Sequence, residues 1–248
     1  MSNAIRSFSK DDTCLEKRKA GDKYYSVLQA LGRTSLGAIY IVDVRTKKME
    51  FISEKPFLFS GLPSSEVEKL GYKFFKKYTR KEDLDILKKV NSSGFKFYEC
   101  LTEDEKKSHT ITYDFHIKNS GNMDVLINHK ITPIEIDENG EIAKIVCVVS
   151  YALNKTAGNI RIASNDSESF WRYNLQTGKW TEEFKIKIKM REIEIVRLYL
   201  QGLTIEEIAH QLCVSPNTIK FHRSKLFEKI GVNNITEAIS YMVSNNLI

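Results

Sequence analysis

The chain has no paired or clustered cysteines. Cys14, Cys100, Cys147 and Cys213 lie far apart. No CxxC pair or Cys/His cluster offers a zinc site, and scattered thiols fit a reducing cytoplasm. The chain also lacks any run of about eighteen apolar residues and any charged-then-apolar leader. The expected location is cytoplasmic, with no membrane partner. GxSxG, P-loop, HExxH and dinucleotide-binding patterns are all missing. So is a receiver-type cluster of acids followed by a lysine. The sequence is therefore not expected to be an enzyme, and it offers no catalytic residue, metal ligand or cofactor.

What remains is a chain of 248 residues, 42% hydrophobic and 28% charged. That suffices for one large or two modest domains with real cores. A net charge of +6 admits nucleic acid or another polyanion as partner without requiring it.

Residues 1–21 are polar and expected to be weakly ordered. Tyr24, Val27, Leu28 and Leu31 then recur at helical spacing, with Gly32 as the expected stop. "GAIYIVDVRTKKMEFISE" reads as two strands, because Val, Ile, Tyr and Phe favour a pleated surface. From 57 to 93 the pattern is helical. Pro63 and Ser64 open one segment, and Thr79 with Glu82 predicts a capping box for another. Residues 94–108 are charged and ambiguous. Three strands follow, joined by "NSGN" and "DENG", where Asn and Gly tolerate positive φ. Two strands, several helices and a three-strand meander predict an α+β domain: one antiparallel sheet with helices over one face.

Over residues 22–153 this order resembles a PAS sensor domain, with "IYIVDVRTKKMEFISEKPFLFSG" and "KEDL" near its start. The resemblance implies a domain that senses a small ligand or a partner. His109, His116 and His129 fall in or beside the meander strands. They fit core or surface positions better than a haem or metal site. Phe74, Phe75, Phe97 and Phe115 fit a core better than a cofactor box. Residues 154–185 read as a connector with a hairpin turning near Thr177–Gly178. Its Trp171, Tyr173 and Trp180 either pack the hairpin onto a neighbour or transmit a signal.

Residues 186–248 predict an all-α four-helix unit. The first helix covers about 190–200, ended by Gln201–Gly202. Thr204 and Glu207 form a capping box for the second. Ser215 caps the third, Pro216 takes its first position, and Gly231 stops it. The fourth runs from about Thr236 to Ser244. Two helices joined by "LCV" make a helix-turn-helix, which places its second helix in a DNA major groove. On that helix Ile219, Leu226 and Ile230 share a face at 100° per residue, with Phe227 beside them. Asn217, Lys220, Phe221 and Ser224 share the opposite one, with Lys225 at its edge and Glu228 as the one acid. Between 216 and 230, four Lys/Arg and one Asp/Glu give +3.

"MREIEIVRLYLQGLTIEEIAHQLCVSPNTIKFHRSKLFEKIGVNNITEAISYM" resembles the DNA-binding domain of LuxR (GerE-type) regulators. The matching pieces are Arg191–Glu192, Gly202, "EIA", Ser215, "TIKFH", "KIGV" and "TEA". The resemblance implies a third helix that reads double-stranded DNA and a fourth that forms the homodimer contact, here Ile239, Tyr241 and Met242. Candidate DNA contacts are Ser215, Asn217, Thr218, Lys220, Phe221, His222, Arg223, Ser224 and Lys225. Lys220 and Lys225 suit guanine edges or phosphates, and Phe221 suits a thymine methyl. Three positions depart from the pattern: Lys189 stands where Ser or Thr caps the first helix, Ile235 where Arg is frequent, and Ser224 where a long side chain is common. The expected protein is a transcription regulator. The alternative is an adaptor whose PAS-like domain only dimerises or docks a sensor partner. A true internal cavity favours the sensor, and a solid phenylalanine core the adaptor.

Overall fold

The computed structural model describes residues 24–245 and 247–248. The expectation for residues 1–21 lies outside them. The chain divides into two compact units. The first holds the described residues up to Ala152 together with Thr156–Ser167 and Trp171–Thr181, and the second is chiefly Glu182–Ile248.

In the first unit, residues 24–34 form α1. Leu28 is buried against Ile39, Ile41 and Phe51, whereas Tyr24, Val27 and Leu31 stay exposed. The helix runs through Gly32 instead of stopping there. Gly32 is needed for a close crossing, since a Cβ would lie 2.7 Å from Cβ of Ser53.

Eight strands form one sheet: β1 (Ala38–Asp43), β2 (Met49–Ile52), β3 (His109–Lys118), β4 (Asp124–Ile136), β5 (Ile142–Tyr151), β6 (Gly158–Ser164), β7 (Ser169–Asn174) and β8 (Lys179–Phe184). Their order is β2-β1-β5-β4-β3-β6-β7-β8. The strand pair, helical crossover and meander expected of a PAS-like domain are therefore present. Both predicted hairpin turns form. Asn122 at φ 59° and Gly140 at φ 77° supply the left-handed residues. Asp137 Oδ1 accepts from the N–H groups of Asn139 and Glu141.

Residues 158–184 do more than connect. Alternating burial along Gly158–Ser164 gives β6 a core face, and β6 pairs antiparallel with β3. The predicted hairpin follows as β7 and β8, with Gly178 donating to the Asn174 carbonyl. Trp171 and Trp180 lie 5.5 and 5.4 Å from the Phe97 ring. The packing role expected for these aromatics is thus met within the first unit.

The crossover comprises α2 (Ser64–Leu70), α3 (Lys73–Tyr78), α4 (Leu84–Lys89), a single π-helical turn at Val90–Gly94, α5 (Phe95–Glu99) and α6 (Glu103–Ser108). The predicted Thr79–Glu82 capping box does not form. Thr79 is extended and bridges Ile117 of β3, and Arg80 N–H donates to the His116 carbonyl. Asp83 takes over the local hydrogen bonding. Its carboxylate accepts from the His116 backbone N–H at 2.7 Å and pairs with the His116 ring and Arg80. In the ambiguous 94–108 segment, Thr102 and Glu105 make the reciprocal capping box of α6.

The second unit has four helices: α7 (Met190–Leu200), α8 (Ile205–Gln211), α9 (Pro216–Ile230) and α10 (Ile235–Ser244). Two apolar clusters hold them. Ile195, Leu198, Ile208, Ala209 and Ile219 form one. Val196, Leu226, Ile230, Ala238 and Met242 form the other. Each buried aliphatic side chain contributes about 1.5–3 kcal/mol, and α9 belongs to both clusters.

Candidate nucleic-acid interface and internal cavity

The start of α9 is fixed by Ser215, whose Oγ accepts the Thr218 N–H at 3.2 Å, and by Pro216 in the first turn. Its end is fixed by Gly231 at φ 69°, whose N–H donates to the Phe227 carbonyl. The tight link from α8 is a Schellman motif. Val214 N–H donates to the Ala209 carbonyl and Cys213 N–H to that of His210. Cys213 therefore occupies the left-handed position, at φ 52°, where glycine is usual.

Two charged residues lock this geometry. Arg191 Nη2 donates to the Leu212 carbonyl inside the turn at 3.1 Å, while its Nη1 pairs with Glu194. Glu192 is only 3% exposed and bonds Lys229 Nζ at 2.7 Å. Burial pushes its carboxyl pKa up, but Lys229 and the Lys189 backbone N–H outweigh that and hold it below the usual range. The bond to Lys189 N–H, at 2.8 Å, also satisfies a donor at the start of α7. Glu192 thus supplies the half of a capping box that survives without a Ser or Thr at 189. Sequence reading matched Arg191–Glu192 by resemblance but missed both partners, which lie 21 and 37 residues away.

Ile219, Leu226 and Ile230 are buried, and Asn217, Lys220, Phe221, Ser224 and Lys225 are exposed with Ser215. The two arcs fall where a 100° repeat puts them. Phe221 is 60% exposed, and its ring meets the His222 ring edge-on at 5.8 Å. Thr218, His222 and Arg223 are half-buried. Arg223 lies over the Phe227 ring at 5.9 Å. Lys225 also pairs with Glu228 at 3.2 Å on the surface. On α10, Ile239 and Tyr241 are half-buried, but Met242 is fully buried. Met242 belongs to the unit's own core and cannot serve as a dimer contact as expected. The exposed apolar residue beside it is Val243.

The first unit holds a cleft of about 330 Å³, partly open to solvent, between the sheet and the crossover helices. Phe74, Phe75 and Phe115 are core residues, yet they leave this space. Its floor is a hydrogen-bonded cluster. His129 Nε2 lies 2.6 Å from the Tyr40 hydroxyl, and its Nδ1 bonds the Tyr113 hydroxyl. Register explains the grouping: Tyr113 faces His129, and Tyr40 faces Cys147, across paired strands. Burial drives the His129 pKa down to about 3, so the ring is neutral. Burial pushes the Cys147 thiol up to about 12, although a hydrogen bond from Tyr40 opposes it. The rim carries Lys47, Tyr72 and Asn91, and the Tyr72 hydroxyl donates to Asn91 Oδ1 at 2.7 Å. The three meander histidines do not converge. His109 bonds the Glu105 carbonyl, His116 pairs with Asp83, and His129 lines the cavity. Among the described residues no group of His, Cys, Asp or Glu could hold a metal ion, and no helix is long and apolar enough to cross a membrane.

Residues 190–242 match the family described as bacterial regulatory proteins, luxR family. The second unit carries a LuxR-type helix-turn-helix domain. Fimbriae Z protein of Salmonella typhimurium is 38% identical over 58 residues, covering 23% of this chain and 28% of that protein. Oxygen regulatory protein NreC of Staphylococcus aureus is 35% identical over 75 residues, covering 30% of this chain and 34% of that one. The chain thus spans about a third of the length of the curated relatives it matches. Among solved structures, the phage VqmA–DPO complex is similar over 93% of this chain and 91% of that one, at 18% identity and a TM-score of 0.33.

Proposed function

We propose that the chain is a homodimeric, DNA-binding transcription regulator whose first unit senses a small molecule in its cavity. The observation that carries the DNA reading is the composition of the exposed arc of α9. Asn217, Lys220, Phe221, Ser224 and Lys225 stand free of the core on a helix capped and clamped at both ends. Amide, ammonium, hydroxyl and one ring suit base edges and the thymine methyl. Ser215, Thr218, His222 and Arg223 would contact the flanking phosphates. A dimer built on α10, with Ile239, Tyr241 and Val243, would read two half-sites about one helical turn apart. The cleft favours a sensor over an adaptor, because it is concave, lined mostly by apolar and aromatic side chains, and carries a few buried polar groups at its floor. Coupling requires a ligand that binds two states of the dimer unequally. A cytoplasmic location and the absence of catalysis belong to the same reading.

Equilibrium binding of the full chain to duplex DNA over a salt series tests the assignment. Lys220→Ala should lower the slope of log K against log salt by about one unit. Phe221→Ala should weaken binding and leave that slope unchanged. Equal slopes for Lys220→Ala and the parent would remove Lys220 from the interface.

A further inference from the structure

The polar floor of the cavity specifies its ligand further, given the sensor reading. A neutral imidazole has one N–H and one lone pair. Of Tyr40 and Tyr113, one must therefore donate to the His129 ring and the other must accept from it. If Nε2 carries the proton, Tyr40 accepts, its own O–H is left for Cys147, and Tyr113 donates to Nδ1. All three groups are then satisfied, with the Cys147 sulfur accepting the Tyr40 O–H. If Nδ1 carries the proton, Tyr40 donates to Nε2 and Tyr113 accepts. The Tyr113 O–H is then spare, and Tyr113 lines the cavity.

Among the described residues no carboxylate lines the space, and the one cationic side chain in the lining, Lys47, is exposed at the rim. An anion on the floor would meet a neutral ring and two phenols, with no opposite charge to offset its desolvation. An ammonium would meet no carboxylate. Tyr40, Phe75, Phe95 and Tyr113 line it with aromatic rings, which suit a flat partner in stacked or edge-to-face contact.

We infer that the cavity takes an uncharged, flat molecule bearing a hydrogen-bond acceptor, and that the Tyr113 hydroxyl donates to that acceptor. Binding selects the arrangement in which His129 Nδ1–H donates to Tyr113. The unfilled cavity retains the self-satisfied arrangement. The same floor is thus stable empty and specific when filled.

Three probes of similar shape separate these claims: benzamide, which is neutral with an acceptor; benzoate, which is anionic; and ethylbenzene, which has no acceptor. Binding to the full chain is measured by ligand-observed NMR at neutral pH. Benzamide should bind at least tenfold more tightly than benzoate. Tyr113→Phe should weaken benzamide several-fold and leave ethylbenzene unchanged. Ile145→Phe, which narrows the cavity, should weaken both; Cys147→Met gives a second, milder filling if that variant does not fold. Benzoate binding as well as benzamide overturns the uncharged class. Benzamide binding that ignores Tyr113→Phe overturns the donor. If no probe binds the parent, or if both fillings leave binding intact, the cavity is not a binding site and the sensor reading itself fails. DNA binding by α9 is untouched by any of these outcomes.

Discussion

His129 should make the first unit acid-sensitive by a calculable amount. Its ring is buried and neutral, with a folded pKa of about 3 against 6.5 for a free histidine. The unfolded chain binds a proton below 6.5 that the folded chain refuses. Stability is therefore full above that value and falls as pH drops toward 3. At about pH 5 the unfolded state gains about 1.5 decades of protonation, or about 2 kcal/mol. The full difference of about 3.5 units, about 5 kcal/mol, is reached only below about pH 3. Both tryptophans of the chain lie in the first unit, against Phe97, so their fluorescence during urea unfolding reports on it. The comparison protein is His129→Gln, which removes the titrating ring and keeps a neutral donor and acceptor. The difference between the two proteins isolates the His129 ring. From about pH 7.5 to about pH 5, the parent should lose about 2 kcal/mol more than the variant. Equal losses would show that His129 protonates freely in the folded state, and the neutral floor would not exist.

Cys213→Gly should stabilise the second unit by about 1 kcal/mol, because it relieves a non-glycine residue at a left-handed Schellman position; a lower melting temperature by circular dichroism would contradict this. Glu192→Ala leaves the half-buried Lys229 ammonium without its carboxylate and strips the start of α7 of an acceptor. It should cost about 3 kcal/mol, seen as faster hydrogen exchange in α7 and α9, and unchanged exchange there would show the pair to be inert.

The second unit was legible in the sequence because its signals are local. Thr204 with Glu207, Ser215 with Pro216, and Gly231 each act within a few residues, and all three sit where expected. The exceptions depend on what packs from a distance. Met242 follows helical spacing as well as Ile239 does, but only the approach of α7 and α9 makes it core. Asn234 caps α10 and starts it at Ile235, slightly before the expected Thr236, because Asn234 Oδ1 accepts the Glu237 N–H. In the first unit the strands, hairpins and crossover were readable from composition and turn chemistry. The cavity was not. Tyr40, Tyr113 and His129 come from three strands, and nothing in any one strand marks them as partners. Thr79 was misread for a related reason: a Thr-x-x-Glu pattern signals a cap only if a strand does not claim the backbone first. β6 was taken for a connector because its pairing partner, β3, lies about 50 residues earlier.

The central claim is that the exposed arc of α9 reads DNA sequence. Selection of duplexes from a random pool, with the full-length parent, Lys220→Ala, Phe221→Ala and the double variant, tests it most directly. The parent should enrich a roughly palindromic site. Phe221→Ala should lose preference at a thymine-containing step while keeping the rest, and the double variant should enrich no common site at moderate salt. Identical enriched sites for the parent and the double variant would show that α9 does not read the sequence.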